Sequence, residues 1–169
     1  MAEIALPYAG QMARDQDPDR FLATMFAKPD AREALWTLLA FNHEIAKTRE
    51  VVSEPTIGMI RLQWWRDAVA EAYAGAPKQH QIVEPLAKFA KHYGWSHALF
   101  DQLIAARETD LSNDPPSDMK SLAAYAEATN YPLFLLMAQT LGVDCEERDC
   151  GQVFQHLSRG FALTGILRA

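Results

Sequence analysis

Long apolar runs are scarce in this chain. None reaches the roughly 18 to 20 residues that a bilayer crossing needs, so the sequence offers no membrane span. Cysteine is nearly absent. Cys145 and Cys150 stand in a C-x4-C spacing with neither a second pair nor a histidine at ligand distance, which separates them from zinc-ribbon and disulfide frameworks and leaves two ordinary thiols near a helix start. Positive charge is in deficit: 16 Lys and Arg against 22 Asp and Glu give a net charge of -6, which excludes a general attraction to nucleic acid or anionic lipid. None of the five histidines forms an HxxxH or HExxH pattern, no Gly-rich loop precedes a helix to cradle phosphate, and no serine sits in a nucleophile elbow. The N-terminal stretch MAEIALPYAGQMARDQDPDR has no basic region followed by an apolar one, and its acidic residues are foreign to a transit peptide. The expected location is therefore cytoplasmic.

What is present is helical periodicity. Apolar residues recur at intervals of three and four in nearly every stretch between punctuating residues, and no segment alternates in the manner of a strand, so the fold class is all-α. Asp17-Pro18 offers an N-cap with proline at the first helical position and opens DRFLATMFA, which stops at Lys28-Pro29. The next helix runs over residues 30–51, with Ala34, Leu35, Leu38, Leu39, Phe41 and Ile45 as its apolar stripe. Ser53-Glu54-Pro55 stops it and starts TIGMIRLQWWRDAVAEAYAG. A fourth helix spans 81–93 and ends at Gly94, and Ser96 caps a fifth that reaches Asp110-Leu111. After the loop SNDPPSD, Ser117 or Asp118 caps a sixth helix that continues to Leu141 with an expected kink at Pro132. The last helical stretch covers 148–169. Short connections place these helices as antiparallel neighbours in one bundle, without repeats or low-complexity segments.

Charged residues concentrate in FNHEIAKTRE, residues 41–50. On a regular helix His43, Lys47 and Glu50 lie at i, i+4 and i+7 and share a face, while Glu44 and Arg49 point elsewhere. Two readings remain open: a polar patch facing a cavity, or a solvated face on which Lys47 pairs with Glu44 or His43. In RLQWWRD, Arg61 and Trp65 are four apart and can set a guanidinium beside an aromatic wall, or merely pack with the arginine reaching out to water. Adjacent Trp64 and Trp65 cannot face the same way, so one belongs to the core. RETDL brings Glu108 and Asp110 to a helix end, but carboxylates two apart do not share a helical face and make a weak metal pair.

The segments KPDAREALWTLLAFNHEIAK, RLQWWRDAV and GFALTGILRA resemble, in content, order and approximate spacing, the squalene/phytoene synthase family. Pro29, Ala40 and Phe41 match its first helix, Arg32 stands close to an arginine position, and RETDL and YAEATNYPLFLLMAQTLG are also similar to it. The resemblance implies an isoprenoid-synthase-like helical bundle over residues 17–169, with 1–16 as an N-terminal extension and further C-terminal helices that these 169 residues lack. With those helices absent, exposed apolar faces and self-association are expected.

Active members of the family condense prenyl diphosphates, using two aspartate-rich motifs to hold Mg2+ against the leaving diphosphate. Here the paired aspartates of the first motif fall on Ala46 and Lys47, with an acid only at Glu50. The second, approximately Gln-Leu-Thr-Asn-Ile-Leu-Arg-Asp in the family, reads Ala162-Leu163-Thr164-Gly165-Ile166-Leu167-Arg168-Ala169. The framework is kept and the metal ligands are not, so no cofactor is assigned. AFNHEIA and VSEPTIGMIRLQWW are similar to the branch of the family containing a mitochondrial respiratory complex I assembly factor, which also departs from the aspartate pattern. That resemblance implies a pseudoenzyme that contacts respiratory-complex subunits or assembly proteins, peripheral at the inner face of a membrane, with an isoprenoid or prenyl diphosphate as a ligand. The expected ligand-binding residues are His43, Lys47, Glu50, Arg61, Trp65 and Arg168, with Glu50 and Asp110 as weak metal candidates. The alternative is a divergent prenyltransferase that arranges Mg2+ among Glu44, Glu50, Glu108 and Asp110.

Overall fold

A computed structural model describes residues 6–112, 114–143 and 148–168, with side chains of the last stretch described from residue 151. Cys145, the Cys150 side chain and Ala169 lie outside the described residues. The elements in chain order are α1 (Tyr8–Gln16), α2 (Pro18–Thr24), α3 (Pro29–Ala46), α4 (Thr48–Val51), α5 (Pro55–Tyr73), α6 (Val83–Tyr93), α7 (His97–Glu108), a 3-10 turn (Thr109–Leu111), α8 (Met119–Thr140) and α9 (Arg148–Arg168). The described residues contain no strand, as the periodicity requires.

α3 is the centre. Its residues from Ala34 to Asn42 are all buried, so the expected apolar stripe is in fact a helix enclosed on every side. Such all-round burial is the signature of a core helix. α3 packs against α1, α2, α6, α7 and α8, while α5 packs on α6 and α7, α7 on α8, and α8 on α9. Phe41 meets Trp65 of α5 edge-on at 5.5 Å and Phe100 of α7 edge-on at 5.1 Å, which locks three helices through one ring. Buried tryptophans find polar partners: the Trp36 indole donates to Thr24 Oγ1 at 2.8 Å and the Trp95 indole to Thr140 Oγ1 at 2.9 Å.

The caps follow the residues that signal them. The Asp17 side chain accepts the Arg20 N–H, with Pro18 at the first helical position of α2. Asp118, not Ser117, caps α8, in a reciprocal arrangement with the Ser121 hydroxyl. Gly94 ends α6 at φ 66°, in the left-handed region that glycine enters without a Cβ penalty. Ser96 precedes α7 without a side-chain cap bond. α8 continues through Pro132 as one helix.

Two features depart from the sequence reading. The stretch before Asp17, read from the sequence only as an N-terminal extension, contains α1, which lays Ala9, Gly10 and Ala13 against α3. Its period of three and four was carried by small residues, and these give little apolar signal while allowing close approach. The helix expected over residues 30–51 is broken at Lys47 into α3 and α4, although Lys47 N–H still bonds His43 O at 2.9 Å and Val51 N–H bonds Lys47 O at 3.1 Å. Past that break, the simple helical wheel no longer says which side chains share a face.

A Cβ placed on Gly10 would sit 2.8 Å from Trp36 Cε3, inside contact distance of a ring held by Thr24 and stacked on Phe21. Gly10→Val is expected to destabilise the protein by about 1–3 kcal/mol through overpacking. Urea unfolding measures it, and an unchanged midpoint would mean that α1 does not dock on α3 in solution.

Candidate functional site

The residues of FNHEIAKTRE are organised by the one acid that the helical wheel set aside. Glu44 is 7% exposed, and its carboxylate accepts Lys47 Nζ at 2.5 Å and Arg61 Nη2 of α5 at 2.7 Å. One carboxylate thus holds two cations at the α3–α5 contact. This corrects the expectation that Glu44 points away from Lys47, and it realises the pairing of Lys47 with Glu44. Glu50, on α4 beyond the break, is exposed. Asn42 Oδ1 and Thr48 Oγ1, on either side of the break, are buried without a protein hydrogen-bond partner among the described residues.

Trp65 is 2% exposed and belongs to the core, whereas Trp64 stands at the surface. Both rings meet His80 edge-on, at 5.3 and 5.4 Å. Glu44, Arg61, Trp64, Trp65 and His80, with Val51, Val52, Ile57 and Ile60, line a groove of about 640 Å3. The guanidinium and aromatic wall expected from Arg61 and Trp65 therefore do share a pocket wall. His80, in a loop without helical periodicity, was not legible as part of it. Burial lowers the pKa of His80, and its Nδ1 accepts the Ile82 N–H at 3.2 Å, which requires the neutral ring. His43 is also lowered, by burial first and then by Lys47.

The remaining expected residues disperse. Arg168 pairs with Asp19 of α2 at 2.9 Å, both exposed, so Lys47 and Arg168 each have a carboxylate of their own rather than a shared anion. Glu108 is bound by Arg66 at 2.7 Å. Asp110 accepts from Arg107 Nη1 at 3.4 Å and interacts with the Tyr125 hydroxyl, which burial, with Asp110 next, pushes up to about 12. Asp110 and Tyr125 open onto a second, larger groove of about 950 Å3 between the end of α7, the following loop, α8 and Ile166 of α9.

Sequence reasoning missed two interior arginines. Arg20 donates to Asp17 at 2.5 Å and to Asn130 at 3.4 Å, with its guanidinium over the Phe161 ring at 4.7 Å. Arg107 also reaches the Tyr125 hydroxyl at 3.3 Å. An isolated arginine leaves no signature in periodicity, and only the fold brings α2, α7, α8 and α9 together around this pair.

The geometry defines the class of protein. Over 95% of this chain and 55% of the other, the structure superposes on a crystal structure of a dehydrosqualene synthase in complex with ligand at a TM-score of 0.80 and 15% identity, which establishes the helical isoprenoid-synthase fold. Residues 13–169 match the family model described as squalene/phytoene synthase, and the chain belongs to that family. Its curated relatives include the human protein named NADH dehydrogenase (ubiquinone) complex I, assembly factor 6, 26% identical over 96% of this chain and 48% of that protein. The mouse protein of the same name is 28% identical over the same shares, and its Dictyostelium discoideum homolog is 26% identical over 85% of this chain and 40% of that protein. The chain thus spans about half the length of the curated relatives it matches.

The family's Mg2+ does not fit the residues present. Where the first motif needs paired acids the chain has Ala46 and an ammonium, Lys47, already held by Glu44. Glu108 and Asp110 face arginines, and no three of His, Cys, Asp or Glu converge among the described residues.

Glu44→Ala is expected to cost about 2–3 kcal/mol, because it leaves Lys47 and Arg61 as partly buried like charges; chemical denaturation with Lys47→Ala as the second arm of a double-mutant cycle measures the coupling. A pH dependence also follows. The native pKa values of His43 and His80 lie below the ordinary 6.5, so the stability tied to their neutral forms is complete above 6.5 and is lost as the pH falls through the native values. The melting temperature should drop as the pH is lowered below 6.5, and His80→Asn, which keeps an acceptor for Ile82, should flatten that drop. An identical slope in the variant would remove His80 from the effect.

Proposed function

We propose that this chain is a squalene/phytoene synthase-like pseudoenzyme that serves assembly or maintenance of respiratory complex I, NADH dehydrogenase, through contacts with its subunits or other assembly proteins. One observation carries this reading. At the position where diphosphate ionisation needs paired acids, Lys47 stands in an ion-pair network with Glu44 and Arg61, and the other acids of the neighbourhood, Glu108 and Asp110, are bound to Arg66 and Arg107. The relatives named complex I assembly factor 6 support the same reading. No described helix is long and apolar enough to cross a membrane, which suits a peripheral position at the inner membrane face. The larger groove is the place for a retained isoprenoid-like ligand.

The test is deletion of the gene in the parent organism, with membrane NADH:quinone activity and assembled complex I on native gels as readouts. The expected result is loss of both, restored equally by the wild-type gene and by a Glu50→Gln/Asp110→Asn variant. Restoration by the wild type alone, together with magnesium-dependent pyrophosphate release from a prenyl diphosphate by the purified protein, would favour the prenyltransferase alternative instead.

A further inference from the structure

The most exposed large apolar side chain among the described residues is Phe26, at 94%. It stands at the turn between α2 and α3, beside Leu22 at 61% and Met25 at 41%. Leu22, Met25 and Phe26 lie at i, i+3 and i+4, and Met25 keeps helical backbone angles at the end of α2, so the three share one face. A single exposed apolar residue is ordinary, whereas three together at a turn form a patch. A side chain open on nearly every side projects from the surface instead of lining a cleft. The shape is that of a knob that enters something else.

The backbone beneath the knob has little need of water. The Phe21 carbonyl accepts the Thr24 hydroxyl at 2.6 Å, and the carbonyls of Leu22, Ala23 and Thr24 accept the N–H groups of Met25, Phe26 and Ala27 at 3.1, 3.2 and 3.0 Å. A helix end ordinarily leaves its last carbonyls to solvent. Here Arg32 of α3 reaches back, its Nη2 donating to Met25 O at 2.9 Å and its Nε to Ala27 O at 3.1 Å. Unpaired backbone groups are what makes a turn costly to take out of water, and these carbonyls are already paired.

Charge at this end of the molecule identifies the medium. The Tyr93 hydroxyl at the end of α6 donates to Asp30 O at 3.2 Å, which sets that end of α6 beside the start of α3. Lys28, Arg32, Lys88 and Lys91 supply four cations there, against the two carboxylates of Asp30 and Glu33, which share a groove with the α6 lysines. Glu84 lies at the opposite end of α6. The acids of α2 and its cap are matched, Asp17 by Arg20 and Asp19 by Arg168. In a chain of net charge -6, the apolar knob thus sits where the local sign is reversed.

We propose that the α2–α3 turn is a membrane-docking knob, with Leu22, Met25 and Phe26 entering the headgroup region of an anionic bilayer while Lys28, Arg32, Lys88 and Lys91 meet the lipid phosphates. Apolar burial supplies adhesion, and the cations supply the preference for anionic lipid. This rests on the proposed peripheral position at a membrane face and names the surface that makes it.

The experiment is flotation of the purified full chain with vesicles of phosphatidylcholine alone and of phosphatidylcholine and phosphatidylglycerol in equal parts. The chain is expected to float with the anionic vesicles, less so as salt is raised, and to bind the neutral ones at least about tenfold more weakly. Leu22→Glu/Phe26→Glu should weaken binding to anionic vesicles at least about tenfold, and Phe26→Leu should keep it. Lys28→Gln/Lys91→Gln, which brings the local charges into balance, should abolish the preference for anionic lipid. Leu22, Phe26, Lys28 and Lys91 are all exposed, so the melting temperature of each variant should match the wild type. Val153→Glu, at an exposed apolar position of α9, is the control and should bind as the wild type does. Absence of binding to anionic vesicles, equal binding to both compositions, an undiminished Leu22→Glu/Phe26→Glu variant, or an equal loss in Val153→Glu would each overturn the proposal. Complex I assembly in the deletion strain is read separately. A chain that binds no vesicles, but whose Leu22→Glu/Phe26→Glu variant fails to restore assembly, would assign the knob to a protein partner instead; vesicle binding with no effect of gene deletion on complex I would remove only the assembly reading.

Discussion

Burial of α3 on every side is the constraint on which the other elements depend. A helix enclosed from Ala34 to Asn42 must be surrounded, and α1, α2, α6, α7 and α8 are the elements that do so. Phe41 makes the requirement specific, since its ring takes edges from both Trp65 and Phe100 and so fixes α5 and α7 relative to α3. The same helix then delivers Glu44 to Arg61. Because the core sets the α3–α5 register, the ion pair is a consequence of ring packing as much as of charge.

The two grooves divide the chemistry. On the α4–α5 side, Glu44, Arg61 and His80 are tied into protein hydrogen bonds and ring contacts, with exposed Ile57, Ile60 and Trp64 at the rim. On the α7–α8 side, Asp110, Arg107 and Tyr125 pair among themselves, and Ala106, Leu122, Ala124, Ala128 and Ile166 add apolar walls. The first is rich in contact residues of the kind found at protein interfaces, the second in small residues that make room. Both remain compatible with a family scaffold whose metal ligands have been replaced.

Much of the fold was legible because it is written in local signals. Asp17-Pro18, Gly94 and Asp118 with Ser121 mark helix ends through capping chemistry, and the three-four spacing of α5, α7 and α8 marks helices. α1 was missed because Ala9, Gly10 and Ala13 bury well yet score weakly as apolar. The site was less legible. Trp65 and Arg61 fell to one groove, one of the two readings their spacing allowed, and the Lys47–Glu44 pairing was among the open readings, but the burial of Glu44 and its bond to Arg61 were not legible, and Arg168 found Asp19 across 149 residues of chain. His80 and the pair Arg20 and Arg107 depend on contacts between elements distant in sequence, which no window of one helix contains.

The network at Lys47 constrains which residue can stand there. An aspartate returned to that position would meet Glu44 three residues earlier, where an ammonium now sits, and would leave two carboxylates to share Arg61. Its backbone would still occupy the step between α3 and α4. A single change toward the acidic pattern of the family therefore meets repulsion before any ligand set is complete. The two cations around Glu44 thus favour the present residues at this step by charge alone.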